Sequence, residues 1–160
     1  MRTPTPPGTQ VFVRRSQLAA PAPEVFRWHA RPGAFERLTP PWEHVRVVEK
    51  QGGIEDGARL VMRLGPGGFG PLWVSDHIDY VADEQFRDVQ TSGPFAFWEH
   101  THRFEAAGAD TCWLEDRIAY LLPGGVLGSL AGEAFTRRKL QRMFDYRHRI
   151  TAGDVAAHTR

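Results

Sequence analysis

The sequence predicts an α+β fold: a seven-stranded, curved antiparallel sheet wrapped around a long C-terminal helix, with two short helices between strands 1 and 2. Three observations predict it. Residues 44 to 122 are a run of period-two stretches with short turns between them. Those turns leave no room for crossover helices, so neighbouring strands must run antiparallel. The last long stretch, 125–150, has helical periodicity instead.

Pro4, Pro6, Pro7 and Gly8 make residues 1–9 a flexible lead, and one domain is expected over 10–150. "QVFVRRSQL" (10–18) alternates, with Val11 and Val13 opposite Phe12 and Arg14, and reads as the first strand. In "APAPEVFRWHARPGAFERLTPP", Pro21 and Pro23 precede a helical turn carrying Val25, Phe26 and Trp28. Pro32-Gly33 breaks that helix, and "AFERL" forms a second one that stops at Pro40-Pro41. Six strands follow over 44–50, 58–64, 72–81, 86–92, 95–105 and 112–122, separated by Gly-, Pro- and Asp-containing turns. Pro123-Gly124-Gly125 sets the start of the long helix and Gly153 follows its end, which leaves 151–160 as a frayed tail. Val126, Leu127, Leu130, Ala134, Leu140, Met143 and Phe144 fall within one half of its helical wheel. A curved sheet has a concave apolar face that needs covering, and only this helix is large enough to cover it. A tapering cavity between the two, closed at one end by the short helices, is the expected consequence.

Composition narrows the function. The 160 residues carry 20 basic and 19 acidic side chains, a balance that argues against nucleic acid as a partner. No stretch approaches the roughly 18 apolar residues of a membrane helix, so no membrane insertion is expected. The N-terminal decapeptide lacks the apolar core of a signal peptide, and the one cysteine, Cys112, cannot form an internal disulfide. A cytoplasmic protein is the resulting expectation.

The strings "APAPEVFRWHARPGAFERLTPPWEHVRV", "GPFAFWEHTHRFE" and "LEDRIAYLLPGGVLG…MFDYRHR", with the element order, resemble a bacterial branch of the START/Bet v 1-like superfamily. This is also called the SRPBCC or polyketide cyclase/dehydrase-like group. The resemblance covers about residues 10 to 150 and implies the helix-grip fold, a cavity and a small, largely apolar ligand, without implying a reaction. Members of the branch occur as stand-alone domains and fused to nucleotide-sugar-epimerase-like proteins. A partner-binding module acting with an epimerase-like protein, and a homodimer, are therefore further readings.

The densest chemistry lies in "FAFWEHTHRFE" (95–105). Alternation puts Trp98, His100, His102 and Phe104 on one face, taken as the cavity side, and Phe97, Glu99, Thr101 and Arg103 on the other. Phe95 and Phe97 are then expected at the rim or exposed. Two imidazoles spaced by two can share a metal if a neighbouring strand adds a third ligand. His77 is the obvious candidate, with Asp116 or Glu115 as carboxylate alternatives, but none stands at a diagnostic spacing, and no metal or cofactor is expected. His100 and His102 are the catalytic candidates for proton transfer in a cyclase or dehydratase, although no nucleophile motif such as G-x-S-x-G accompanies them. The plainer reading is a pocket wall in which a few polar groups orient an apolar ligand.

Asp116 and Tyr120 share a strand face with Cys112 and Ile118, and that face is a second candidate wall. Cys112 reads as a small buried hydrophobe. Glu133 and Arg137 fall near the centre of the helix's apolar half, four residues apart. They are either a polar anchor for a ligand carboxylate or phenolate, or a pair left wet where the helix lifts off the sheet. Trp28, Phe35 and Trp42 serve as a cavity lid or as packing for the short helices. "GPGGFGPLW" lacks the lysine and hydroxyl of a phosphate loop and reads as a hairpin at the cavity entrance. "TRRKLQR" (136–142) reads as a solvated helix face.

Overall fold

The computed structural model describes residues 4–124 and 130–158. In chain order the elements are β1 (Gln10–Leu18), α1 (Ala22–Ala30), α2 (Ala34–Leu38), β2 (Val45–Gln51), β3 (Arg59–Leu64), β4 (Leu72–Val81), β5 (Gln85–Ser92), β6 (Phe97–Gly108), β7 (Thr111–Leu121) and α3 (Leu130–His158). A single 3₁₀ turn at Pro66–Gly68 interrupts the β3–β4 hairpin. The seven strands form one antiparallel sheet in the order β1-β7-β6-β5-β4-β3-β2. Strands β1 and β2 are thus its two edges, and α1 and α2 carry the chain from one edge to the other. This is the expected helix-grip arrangement. None of the described helices is long and apolar enough to cross a membrane.

Local sequence accounts for the short helices. Pro23 occupies the first turn of α1, where a missing N–H costs nothing, and Glu24 and Arg27 match the two ends of the helix dipole. Of its buried residues, Ala22, Val25, Phe26 and His29 recur at helical spacing and seat it on the sheet, with Trp28 buried beside them. Gly33 separates the helices at φ 83°, a left-handed conformation that glycine adopts without strain. Register shifts in the pairing of β2 with β3, β4 with β5 and β6 with β7 bend the sheet into its curve.

Two apolar clusters fill the concave side. One joins α1 to Phe86, Phe104, Cys112 and Leu114. The other joins Phe12, Trp73, Trp98, Ile118 and Tyr120 to Leu140 and Phe144 of α3.

The tail differs from expectation. Helix α3 does not stop before Gly153 but runs on to His158, because Thr151 and Val155 continue its buried stripe at 0% and 1% exposure. Asp154 adds ion pairs to Arg31 and Arg37, 3.1 and 2.9 Å away. Burial of one more turn outweighs the weak helix propensity of a single glycine. The expected helix start at 125, with Val126 and Leu127, and the extreme termini lie outside the described residues. Val155→Ala should therefore lower unfolding free energy by about 1–3 kcal/mol in a urea titration. Phe69→Ala, at a ring 92% exposed, should leave it unchanged.

Candidate functional site

Strand pairing assembles the site. Asp88 of β5 stands opposite His100 of β6, and His102 of β6 stands opposite Asp116 of β7. Alternation turns all four side chains to the concave face. Asp116, only 3% exposed, is the hub. Its Oδ1 accepts a hydrogen bond from His100 Nε2 at 2.7 Å, and its Oδ2 accepts one from His148 Nε2 of α3, also at 2.7 Å. His102 Nδ1 lies 2.8 Å from the same Oδ1, although not in line for a hydrogen bond. Asp88 closes the other side: its Oδ1 is 3.2 Å from His100 Nδ1 and 3.4 Å from His102 Nε2. The Ser75 hydroxyl donates to Asp88 Oδ2 at 3.4 Å. Phe86 stacks on the His102 ring at 4.1 Å between centroids and holds its plane.

An imidazole clasped between two carboxylates has a displaced protonation equilibrium. Burial opposes a charge on His100, but Asp88 and Asp116 outweigh it and push the pKa up to about 9. Burial likewise works against the carboxylates. The charge of His100 and the hydrogen bonds from both histidines hold Asp88 well below the usual carboxylate range. The His102 charge and the three histidine contacts do the same for Asp116. His29 behaves oppositely: burial, reinforced by His102, drives it down to about 3, and its Nδ1 donates to Val25 O at 2.8 Å. It is a neutral imidazole.

Beside this cluster lies a cavity of about 470 Å³ between sheet, short helices and α3. Its wall is mostly apolar, with Leu60, Met62, Trp73, Phe95 and Trp98 from the sheet side and Phe35, Met143 and Phe144 from the helices. Asp88, His100, His102, His77 and His29 form its polar patch. Arg147 of α3 also faces it. The Arg147 Nε donates to Leu38 O at 3.2 Å, and burial lowers its pKa against the pull of Asp116 and Asp88. Asp88, His100 and His102 bring three ligand-type atoms within 4.8 Å of one another and are the residues that could hold a metal ion.

Residues 18–145 match the family described as polyketide cyclase / dehydrase and lipid transport. The chain belongs to this family. Among solved structures, the polyketide cyclase / dehydrase fold of this chain is similar to an aromatase/cyclase from Streptomyces sp. R1128 (TM-score 0.70, 18% identity, covering 95% of this chain and 96% of that one). It is similar to a START superfamily protein from Mycobacterium smegmatis (0.67, 13%, covering 94% and 99%). It is also similar to a nucleoside-diphosphate sugar epimerase from Corynebacterium glutamicum (0.71, 24%, covering 91% of this chain), of which it spans 29%. These likenesses establish the fold. No curated protein matches the chain.

Within this polyketide cyclase / dehydrase family member, the expected site residues divide. Trp98, His100, His102 and His77 line the cavity. Asp116 lies behind the histidines as their hydrogen-bond acceptor instead of in the wall. Phe104 and Tyr120, 3% and 2% exposed, pack in the two core clusters and do not face the cavity. Glu133 and Arg137 are not in the wall either: Glu133 is half-buried and Arg137 exposed. Their charges act in opposite directions on Tyr120, whose pKa burial raises. Phe97 is buried, against the expectation, and Phe95 is half-buried and lines the cavity. Cys112 is buried, and burial pushes its thiol up to about 11. Trp28 packs in the core, Phe35 lines the cavity, and Trp42 lies outside it against Tyr146 and Arg142.

Sequence reasoning missed Asp88, His148, His29 and Arg147. Each carried a readable signal. Asp88 shares a strand face with Phe86, His148 continues the Leu140–Phe144 stripe at four-residue spacing, and His29 follows Val25 by one turn. Arg147 follows Met143 in the same way.

The shifts of His100 and His29 predict a stability maximum. An unfolded histidine titrates near 6.5. His100, raised in the folded state, contributes fully below that pH and loses its contribution as pH rises towards about 9. His29, depressed, favours folding above 6.5 and loses that contribution as pH falls towards about 3. Urea midpoints measured with a chelator present should peak near pH 6.5 and fall on both sides, and His29→Phe should make the acid side shallower, leaving the part due to His77, Asp88 and Asp116. A constant midpoint from pH 6.5 to 9 would contradict the assignment of His100.

Proposed function

We propose that the protein binds a small, largely apolar organic molecule in the cavity between sheet and α3, with a polar or anionic group directed at Arg147 and the histidine wall. The observation that carries this reading is the cavity itself. About 470 Å³ is the size of a small-molecule pocket, and its wall is mostly apolar with a buried cluster of polar groups on one side. The family description, which joins polyketide cyclases and lipid transport, supports the same ligand class. Arg147, a guanidinium in the cavity wall, supports an acidic or phenolic oxygen.

An enzyme on the same scaffold is the second reading, favoured by His77 in the wall, which burial keeps neutral. His100 has less support as a proton shuttle, because carboxylates occupy both of its ring nitrogens.

Naphthoic acid added to the purified protein should alter the fluorescence of Trp73 and Trp98 saturably. Met62→Trp, which fills the cavity, should weaken binding at least tenfold. Arg147→Gln should weaken naphthoic acid more than its uncharged alcohol analogue. Absence of saturable binding by any member of an apolar aromatic and fatty-acid panel would refute the reading. Recovery of a chemically altered ligand would favour the enzyme.

A further inference from the structure

We propose that Asp88, His100 and His102 form a binding site for one divalent first-row transition-metal ion of the Zn²⁺ or Fe²⁺ class, with its remaining coordination positions open to the cavity. The spacing of the two histidines alone did not predict this, because the third ligand was sought at His77, Asp116 or Glu115. Pairing of β5 with β6 supplies Asp88 instead.

The distances fit a coordination polyhedron. Metal–nitrogen and metal–oxygen bonds of about 2.0–2.2 Å set adjacent ligand atoms about 3.0–3.5 Å apart. Asp88 Oδ1 stands 3.2 Å from His100 Nδ1 and 3.4 Å from His102 Nε2, and ligand-type atoms of the three residues all lie within 4.8 Å of one another. Both contacts are longer than the 2.7 and 2.8 Å that separate the far ring nitrogens from Asp116. The far nitrogen of His100 is held as a metal-binding histidine's usually is: the Asp116 carboxylate behind the ring accepts its hydrogen bond, which fixes the orientation and raises the basicity of the ring. The same oxygen lies against His102 Nδ1 without a hydrogen bond, and Asp116 is itself anchored by His148 Nε2 at 2.7 Å. Ser75 engages Asp88 Oδ2 and leaves Oδ1 for the metal.

Charge points the same way. Two carboxylates meet in one largely buried cluster, their side chains 16% and 4% exposed, which is costly without compensation. A dication balances both while the imidazoles stay neutral. Two imidazoles with one carboxylate suit Zn²⁺ or Fe²⁺, whereas Mg²⁺ and Ca²⁺ prefer oxygen ligands throughout. Asp88, His100 and His102 all line the cavity, so water or an oxygen of a bound molecule can complete the shell.

The test needs no organic ligand. Untagged protein is stripped with a chelator and titrated with Co²⁺ and with Zn²⁺. We expect one ion per chain, visible d–d absorption from Co²⁺, and no competition from equimolar Mg²⁺. Asp88→Asn and His102→Gln should each weaken binding at least tenfold. Asp116→Asn should weaken it about 10- to 100-fold through the rings it orients. His44→Ala, at an exposed histidine outside the cluster, should change nothing. X-ray absorption on the zinc-loaded wild type gives a readout independent of how the variants fold, and should show two imidazoles. An all-oxygen shell, no saturable binding of either ion, or equal affinity in folded D88N and H102Q would each overturn the proposal.

Discussion

Asp116 joins the parts of this molecule that would otherwise meet only through apolar contact. Its two oxygens accept from β6 through His100 and from α3 through His148, and His102 lies against it as well. A buried carboxylate that lost these partners would be an uncompensated charge, so the register of β6 on β7 and the placement of α3 on the sheet are coupled to one group. Apolar packing alone tolerates sliding. A hydrogen-bonded charge cluster tolerates far less.

The cavity follows from the same geometry. Helix α3 touches the sheet along Leu140, Phe144, His148, Thr151 and Val155, a stripe at helical spacing that changes from apolar to polar at the level of Asp116. A straight helix cannot follow a curved sheet along its whole length, so the surfaces separate and leave a space whose floor is apolar. The polar cluster lies at its wall because His100 and Phe144 meet edge to face at 5.1 Å, where helix and strand begin to part. Arg147, one turn beyond Met143, enters the same space from the helix side.

Much of this was legible beforehand, and the failures have physical causes. Period-two alternation placed Trp98, His100 and His102 on the inner face, since a pleated strand has no other option. It could not tell a wall from a core, and so Phe104 and Tyr120 were expected beside the ligand when neighbouring rings in fact enclose them. The helical wheel grouped Glu133 and Arg137 with Leu140 and Phe144. A wheel gives angle but not height, and only the length of the sheet decides where a helix face stops being covered. Gly153 read as a stop because local propensity favours one there, yet Val155 packs against the sheet cluster and carries the helix past it.

The sequence by itself determined the element order, the antiparallel meander, the family and the inward direction of the histidines, because these depend on neighbours within a strand or a turn. Tertiary structure decided which groups meet. Asp88, Asp116, His100 and His102 come from three strands, and His148 from a helix 32 residues beyond Asp116. Nothing in the spacing of these residues along the chain encodes the distances between them. Those distances exist only once strand register and helix docking have brought the carboxylates and imidazoles to opposite sides of the same few ångströms.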